Sequence, residues 1–124
     1  MPITVLVVDD ERHVVAVVKA MLAKKGYRVL VAGDGREALA IATQRLPDLV
    51  LLDILIPKLD GGSVAQRLRQ RPETARIPIV FLTGLVGPAE LKRRGPAIAG
   101  SYFLAKPFDS EQLYQTIEMA LPSN

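Results

Sequence analysis

The chain has 124 residues, 49% of them hydrophobic, with a formal net charge of +3 and no cysteine. That length fits one domain with a real core, its apolar content excludes a disordered chain, and the missing thiols exclude disulfides and thiolate chemistry. No apolar run reaches the roughly 18 residues of a membrane span, and the start MPITVLVVDDE has no basic stretch ahead of its apolar run, as a secretory leader would. A soluble cytoplasmic domain, 1–124, is the expectation. The basic residues are scattered, with Arg67, Arg69, Arg71 and Arg76 around one helix and Lys92, Arg93 and Arg94 in another stretch. They lack interleaved aromatics and any helix-turn-helix or zinc spacing, so they read as solvated surface and no direct DNA binding is expected.

In chain order, five apolar runs alternate with segments of helical period. Ile3–Val8 is the first run, followed by a helix whose inner face is Val14, Val15, Val18, Met21 and Leu22 and which stops at Gly26. Arg28–Val31 follows, then Asp34 and Glu37 spaced as a capping box before a helix carrying Ala38, Ile41 and Ala42 inward. Leu49–Leu52 precedes a helix over Gly62–Arg71 with Val64, Ala65 and Leu68 inside, and Asp60-Gly61-Gly62 reads as the turn that enters it. Pro78–Leu82 leads into a Gly/Pro-rich stretch, Gly84–Gly100, where only Pro88–Arg94 is a credible short helix. Tyr102–Leu104 is the last run, and Asp109 with Gln112 caps a final helix lined by Leu113, Ile117 and Leu121. Continuous Val/Ile/Leu runs indicate strands buried on both faces, hence a parallel sheet. Five βα units with right-handed crossovers give an α/β fold, a three-layer doubly wound five-stranded parallel sheet with a short or irregular fourth helix.

Polar residues collect where strands end. Asp9 and Asp10 follow the first strand, Asp53 the third, Thr83 the fourth and Lys106 the fifth. In an open α/β sheet the carboxyl ends of the strands form the ligand crevice, so three carboxylates, a hydroxyl and an ammonium converge. Clustered carboxylates repel one another, and a hard divalent cation relieves this. Oxygen-only donors favour Mg²⁺ or Mn²⁺, and magnesium with few carboxylates implies a phosphoryl ligand. Lys106 balances the remaining charge as a mobile point cation.

The landmarks VVDDE at 7–11, LLDILIPKLDGG at 51–62, IVFLTG at 79–84 and FLAKPF at 103–108 resemble the response regulator receiver family, and the resemblance covers the whole chain. It implies a flavodoxin-like sheet of strand order 2-1-3-4-5. The crevice rule was itself drawn partly from this family, so the site's position follows from the rule rather than testing it. By the resemblance Asp53 is the phosphoacceptor of a two-component signal transduction system, receiving phosphate from a sensor histidine kinase, a phosphotransfer protein or a small acyl phosphate. Asp10 binds the metal directly and Asp9 through water; Asp53 and the Leu55 backbone carbonyl are further ligands. Lys106 contacts the phosphoryl group, aimed by a cis peptide to Pro107, and cis bonds are almost confined to X–Pro. Thr83 is the switch hydroxyl and Phe103 the aromatic that follows it, with plain core packing the alternative for Phe103. The domain then turns over no separate substrate, catalyses only its own phosphorylation and dephosphorylation, and acts on an output protein. No membrane partner is expected, and a weak homodimer is allowed.

Simpler readings exist for single residues. Asp9 and Asp10 could cap the first helix, where carboxylates suit the dipole, though two consecutive acids exceed a cap's needs. A β-branched Thr83 suits a strand end anyway, and His13 reads as surface rather than metal ligand. Rivals for the whole chain are a phosphorylation-independent interaction module on the same fold, a haloacid-dehalogenase-type phosphatase and a flavodoxin-like flavin carrier. The phosphatase would want an aspartate where Leu55 stands, and the carrier's first loop would not carry Asp9-Asp10-Glu11. Departures from the family pattern are Ile56 for a usual methionine, Ala99-Gly100 for a usual Gly-Ala, and Tyr102 where an acid is common. Apolar Leu55 and Leu85, each two residues past a site residue, are expected to slow loss of phosphate.

Overall fold

The computed structural model of the chain describes residues 2–54, 61–84 and 102–122, with Thr83 described in its backbone alone. Strands β1 (Thr4–Val8), β2 (Arg28–Ala32), β3 (Leu49–Asp53), β4 (Ile79–Thr83) and β5 (Tyr102–Ala105) form one sheet of order β2-β1-β3-β4-β5. Every pairing is parallel. Helices α1 (Arg12–Lys24), α2 (Gly35–Arg45), α3 (Gly61–Gln70) and α4 (Ser110–Ala120) cover its two faces. The expected short helix at Pro88–Arg94, and Ile56, Leu85, Ala99 and Gly100, lie outside the described residues.

The apolar runs locate the strands, but four of them run one residue further than hydrophobicity indicates, ending at Ala32, Asp53, Thr83 and Ala105. The parallel ladder, not apolarity, sets a strand's end: Asp53 still pairs in register with Leu82 and Thr83 with Ala105. The two site positions therefore belong to rigid strands rather than to the loops after them.

Two cores result from the two faces of the pleat. On one, Leu6, Val8, Val50, Leu52 and Phe81 pack with Ala38 and Ala42 of α2 and Val64, Ala65 and Leu68 of α3. On the other, Val5, Val7, Leu49, Leu51, Val80 and Leu82 pack with Val18 and Leu22 of α1 and Leu113 and Ile117 of α4. Strand residues buried on both faces explain why the sequence runs are continuous rather than alternating.

Helix ends follow local chemistry. Gly26, at φ 90°, closes α1 in a Schellman turn, with Gly26 N donating to Ala23 O and Tyr27 N to Leu22 O, both at 3.0 Å. Lys25 N turns to Leu22 O, and the Tyr114 hydroxyl from α4 donates to the Met21 carbonyl at 2.6 Å. Asp34 accepts from Glu37 N at 2.9 Å, opening α2 as expected. That helix ends at Leu46 in the left-handed region, φ 45°, where a glycine would be at ease, and Pro47 prevents its continuation. Asp109 and Gln112 form the full reciprocal capping box of α4.

Candidate functional site

The register explains how the site assembles. Val8 pairs with Leu52, so Asp9, one step on, comes level with Asp53. The Asp9 amide still donates to Ala32 O at 3.2 Å, which holds its backbone against β2. Asp9 is 2% exposed and Asp53 8%, whereas Asp10 lies on the surface. One carboxylate oxygen from each of Asp9, Asp10 and Asp53 falls within 4.8 Å of the others, a spacing that can hold one metal ion. All three donors are hard oxygens, which suits magnesium or manganese.

Lys106 follows β5, with β4 lying between it and β3. Neighbouring strands are about 4.8 Å apart, so only a long side chain can bring a charge from β5 to β3 and β1. Lys106 does so. Its Nζ donates to Asp53 Oδ2 and to Asp9 Oδ2, each at 2.8 Å. Its stem passes Gly84, where a Cβ would stand 3.8 Å from the lysine Cδ. Burial pulls the Lys106 ammonium down, but hydrogen bonds to Asp53 and Asp9 and attraction to both carboxylates outweigh it, so its pKa lies above the ordinary lysine value. The Lys106–Pro107 peptide is cis, as the resemblance implies.

Asp9 is not the helix cap that the simpler reading offered. Glu11 is the N-cap residue of α1 and makes no side-chain cap bond, while Asp9 Oδ1 accepts from Glu11 N at 3.0 Å. Both Asp9 oxygens are thus engaged, one by the chain and one by Lys106. His13 is exposed and lies 3.6 Å from the Glu11 carboxylate, outside the acidic cluster.

The pleat sends the two adjacent β5 aromatics to opposite cores. Phe103 pairs with Phe81 in register and stacks on it, ring centroids 5.6 Å apart and planes at 24°, on the α2–α3 side. Tyr102 packs on the α1–α4 side. Thr83 is placed by its backbone at the end of β4, beside the site; its hydroxyl and the Leu55 carbonyl lie outside the described atoms.

Sequence reasoning missed Gly61, treating it only as part of a turn. A Cβ there would sit 2.7 Å from the Asp53 carbonyl oxygen and 2.9 Å from Ile54 Cα, and Gly61 N donates to Ile54 O at 3.0 Å. The start of α3 therefore rests directly on the end of β3, and only glycine allows that approach. The consecutive glycines after Asp60 were the available signal.

Known proteins share this sequence pattern and fold. Residues 5–118 match the response regulator receiver domain family. Among solved structures, the Vibrio cholerae chemotaxis protein CheY4 superposes with a TM-score of 0.89 at 34% identity, over 98% of this chain and 100% of that one. The receiver domain of the Pseudomonas aeruginosa sensor histidine kinase PA1611, which has a magnesium ion coordinated in its active-site cleft, gives 0.88 at 31% identity, over 99% and 100%. Among curated relatives, the DNA-binding regulator RpaA of Synechocystis is 38% identical over 117 residues, 94% of this chain and 48% of the relative. The response regulator PleD of Caulobacter vibrioides is 39% identical over 113 residues, 91% of this chain and 25% of the relative. The chain thus spans half or less of those two relatives' length. Among the described residues no helix is long and apolar enough to cross a membrane. Family match, sheet order and strand-end chemistry agree, and the chain belongs to the response regulator receiver domain family of two-component signalling.

Proposed function

We propose that Asp53 is the phosphoacceptor and that its neighbours serve that one reaction. A carboxylate oxygen of Asp53 attacks the phosphorus of a phosphohistidine on a sensor kinase or phosphotransfer protein, or of a small acyl phosphate. A new P–O bond forms, the bond from phosphorus to the donor breaks, and a departing imidazole takes its proton from solvent. Asp10 would hold Mg²⁺ or Mn²⁺ directly and Asp9 through water, with Asp53 and the Leu55 carbonyl completing the set. When bound, the ion offsets negative charge as the phosphoryl group meets the carboxylates.

The observation that carries this reading is the Lys106 bridge: an ammonium 2.8 Å from both Asp9 and Asp53, reaching along the carboxyl edge from the end of β5. Asp53 sits at the rim of the core, 8% exposed, within reach of a donor yet shielded from bulk water. Phosphorylation adds about −1.5 to −2 charges there. Lys106 neutralises part of this, the Thr83 hydroxyl bonds a phosphoryl oxygen, and the Phe103 side of the sheet answers with a changed population of states. The output is a separate protein or a fused module, and the unit is one receiver domain, 1–124, working in the cytoplasm.

Incubation with acetyl phosphate and Mg²⁺ is expected to add the mass of one phosphoryl group, and Asp53→Asn to abolish that gain. A gain that survives in Asp53→Asn would overturn the assignment.

A further inference from the structure

The fold gathers arginines that lie scattered along the sequence. Each helix ends at the amino edge of the sheet, so Arg45, in the last turn of α2, stands there with Arg71 and Arg76, which lie between α3 and β4. A cation in a last turn suits the helix dipole, which accounts for Arg45; Arg71 and Arg76 lie beyond the end of α3. All three are exposed, and among the described residues no carboxylate pairs with any of them. The same edge carries a cleft of about 390 Å³ with Ile3, Pro47, Ile77, Pro78 and Leu121 in its wall, and Arg76 also lines it. Of its two acids, Asp48 is tied to Thr4 N, and Glu73 stands between Arg71 and Arg76 in the chain. Leu46, next to Pro47, is 51% exposed on a left-handed backbone, φ 45°, that suits glycine. An apolar pocket beside a charged rim is the anatomy of a protein interface.

We propose that this amino-edge cleft docks a partner protein through an acidic segment bearing one bulky apolar side chain. The side chain enters beside Ile77 and Leu121, and carboxylates flanking it reach Arg45, Arg71 and Arg76. Arginine fits this task because its planar fork takes a carboxylate by two parallel hydrogen bonds. A nucleic acid, charged at every phosphate, would leave the apolar cleft unfilled and meet Asp48 and Glu73; a peptide can set its acids clear of them. The cleft lies at the opposite end of the strands from Asp53, so docking leaves the carboxyl edge open. It is a tether that holds in either phosphorylation state.

The test is titration of the full chain, by fluorescence anisotropy and ¹⁵N NMR, with labelled Asp-Glu-Asp-Xaa-Asp-Glu-Asp peptides in which Xaa is leucine or phenylalanine. Saturable binding at low salt is expected, with amide shifts centred on Ile3, Asp48, Ile77 and Leu121. Glycine at Xaa is expected to weaken binding about ten-fold, through loss of one buried side chain. The combined variant Arg45→Glu, Arg71→Glu, Arg76→Glu is expected to weaken it about ten-fold or more. Acetyl phosphate with Mg²⁺ is expected to leave the affinity unchanged, and a change overturns the tether. Absence of binding, shifts centred on the carboxyl edge, or equal affinity for the glycine peptide overturns the proposal. So does a folded triple variant that binds like the parent; should that variant fail to fold, the shifts in the parent decide. A single-stranded oligonucleotide that displaces the peptides at equal concentration makes the edge a general polyanion surface and overturns the assignment.

Discussion

The two edges of the sheet solve the same problem in opposite ways. At the amino edge, Asp48 accepts from Thr4 N at 2.7 Å through Oδ2, while its own amide donates to Thr4 O at 2.8 Å. An exposed carboxylate there is tied by neutral backbone groups that have no other role. At the carboxyl edge, Asp9 and Asp53 are buried and held by the tip of a lysine that starts two strands from Asp53 and three from Asp9. Backbone clasps are permanent; a flexible ammonium can be exchanged for something else. The same residue type builds a fastening at one end and a reactive centre at the other, and the difference lies in the partner.

That contrast can be broken most sharply at Gly61. Gly61→Ala forces a methyl group against the Asp53 carbonyl and Ile54 Cα, and overpacking against backbone costs about 1–3 kcal/mol. Because the strain falls on β3 itself, phosphorylation by acetyl phosphate is expected to slow alongside the loss of denaturant midpoint. A Gly61→Ala protein with parental stability and rate would show that the α3–β3 contact gives way freely.

Asp48→Ala should be milder and one-sided. Losing the bond to Thr4 N costs about 1 kcal/mol, and acetyl phosphate labelling of Asp53 is expected to be unchanged. Slower labelling would mean that the two edges are coupled through β1 and β3, against the separation drawn above.

The smallest effect is expected from alkali. In the metal-free protein the Lys106 pKa is raised above its ordinary 10.5 by Asp53 and Asp9 despite burial. Its contribution to stability is therefore fully present below about pH 10.5 and lost as pH rises through the higher folded-state value. Unfolding midpoints followed upward from that pH should fall more steeply in the parent than in Lys106→Met; equal slopes would deny the bridge any linkage. Tyr27, whose phenol is raised by burial and then by Glu118 and Tyr114, adds a slope of the same sign to both proteins.

Much of this edge could be read in the sequence because chemistry stood out against apolar runs. A carboxylate directly after Leu49–Leu52 has no purpose in a buried strand, and Lys106 before Pro107 is conspicuous. What escaped reading depends on through-space distance. Asp9 and Asp10 are adjacent in sequence, yet one is buried and twice bonded while the other faces water. Both follow the end of β1, where the chain bends toward α1, and periodicity alone cannot say which is buried. Gly61 looked like any turn glycine because the requirement on it comes from β3. Phe81 is one apolar residue in the run Pro78–Leu82, and its stacking on Phe103 appears only once β4 and β5 are paired. Leu46 ends α2 where sequence rules would ask for glycine.

The hydroxyl of Tyr114 on the Met21 carbonyl joins residues 93 apart in the chain, and this bears on how the protein is made. The face covered by α2 and α3 is assembled from neighbouring segments, so it can close while synthesis is under way. The opposite face cannot: Val18, Leu22, Leu49 and Leu51 wait for Leu113 and Ile117. A ribosome-bound chain lacking its last helix therefore presents one finished side and one adhesive side.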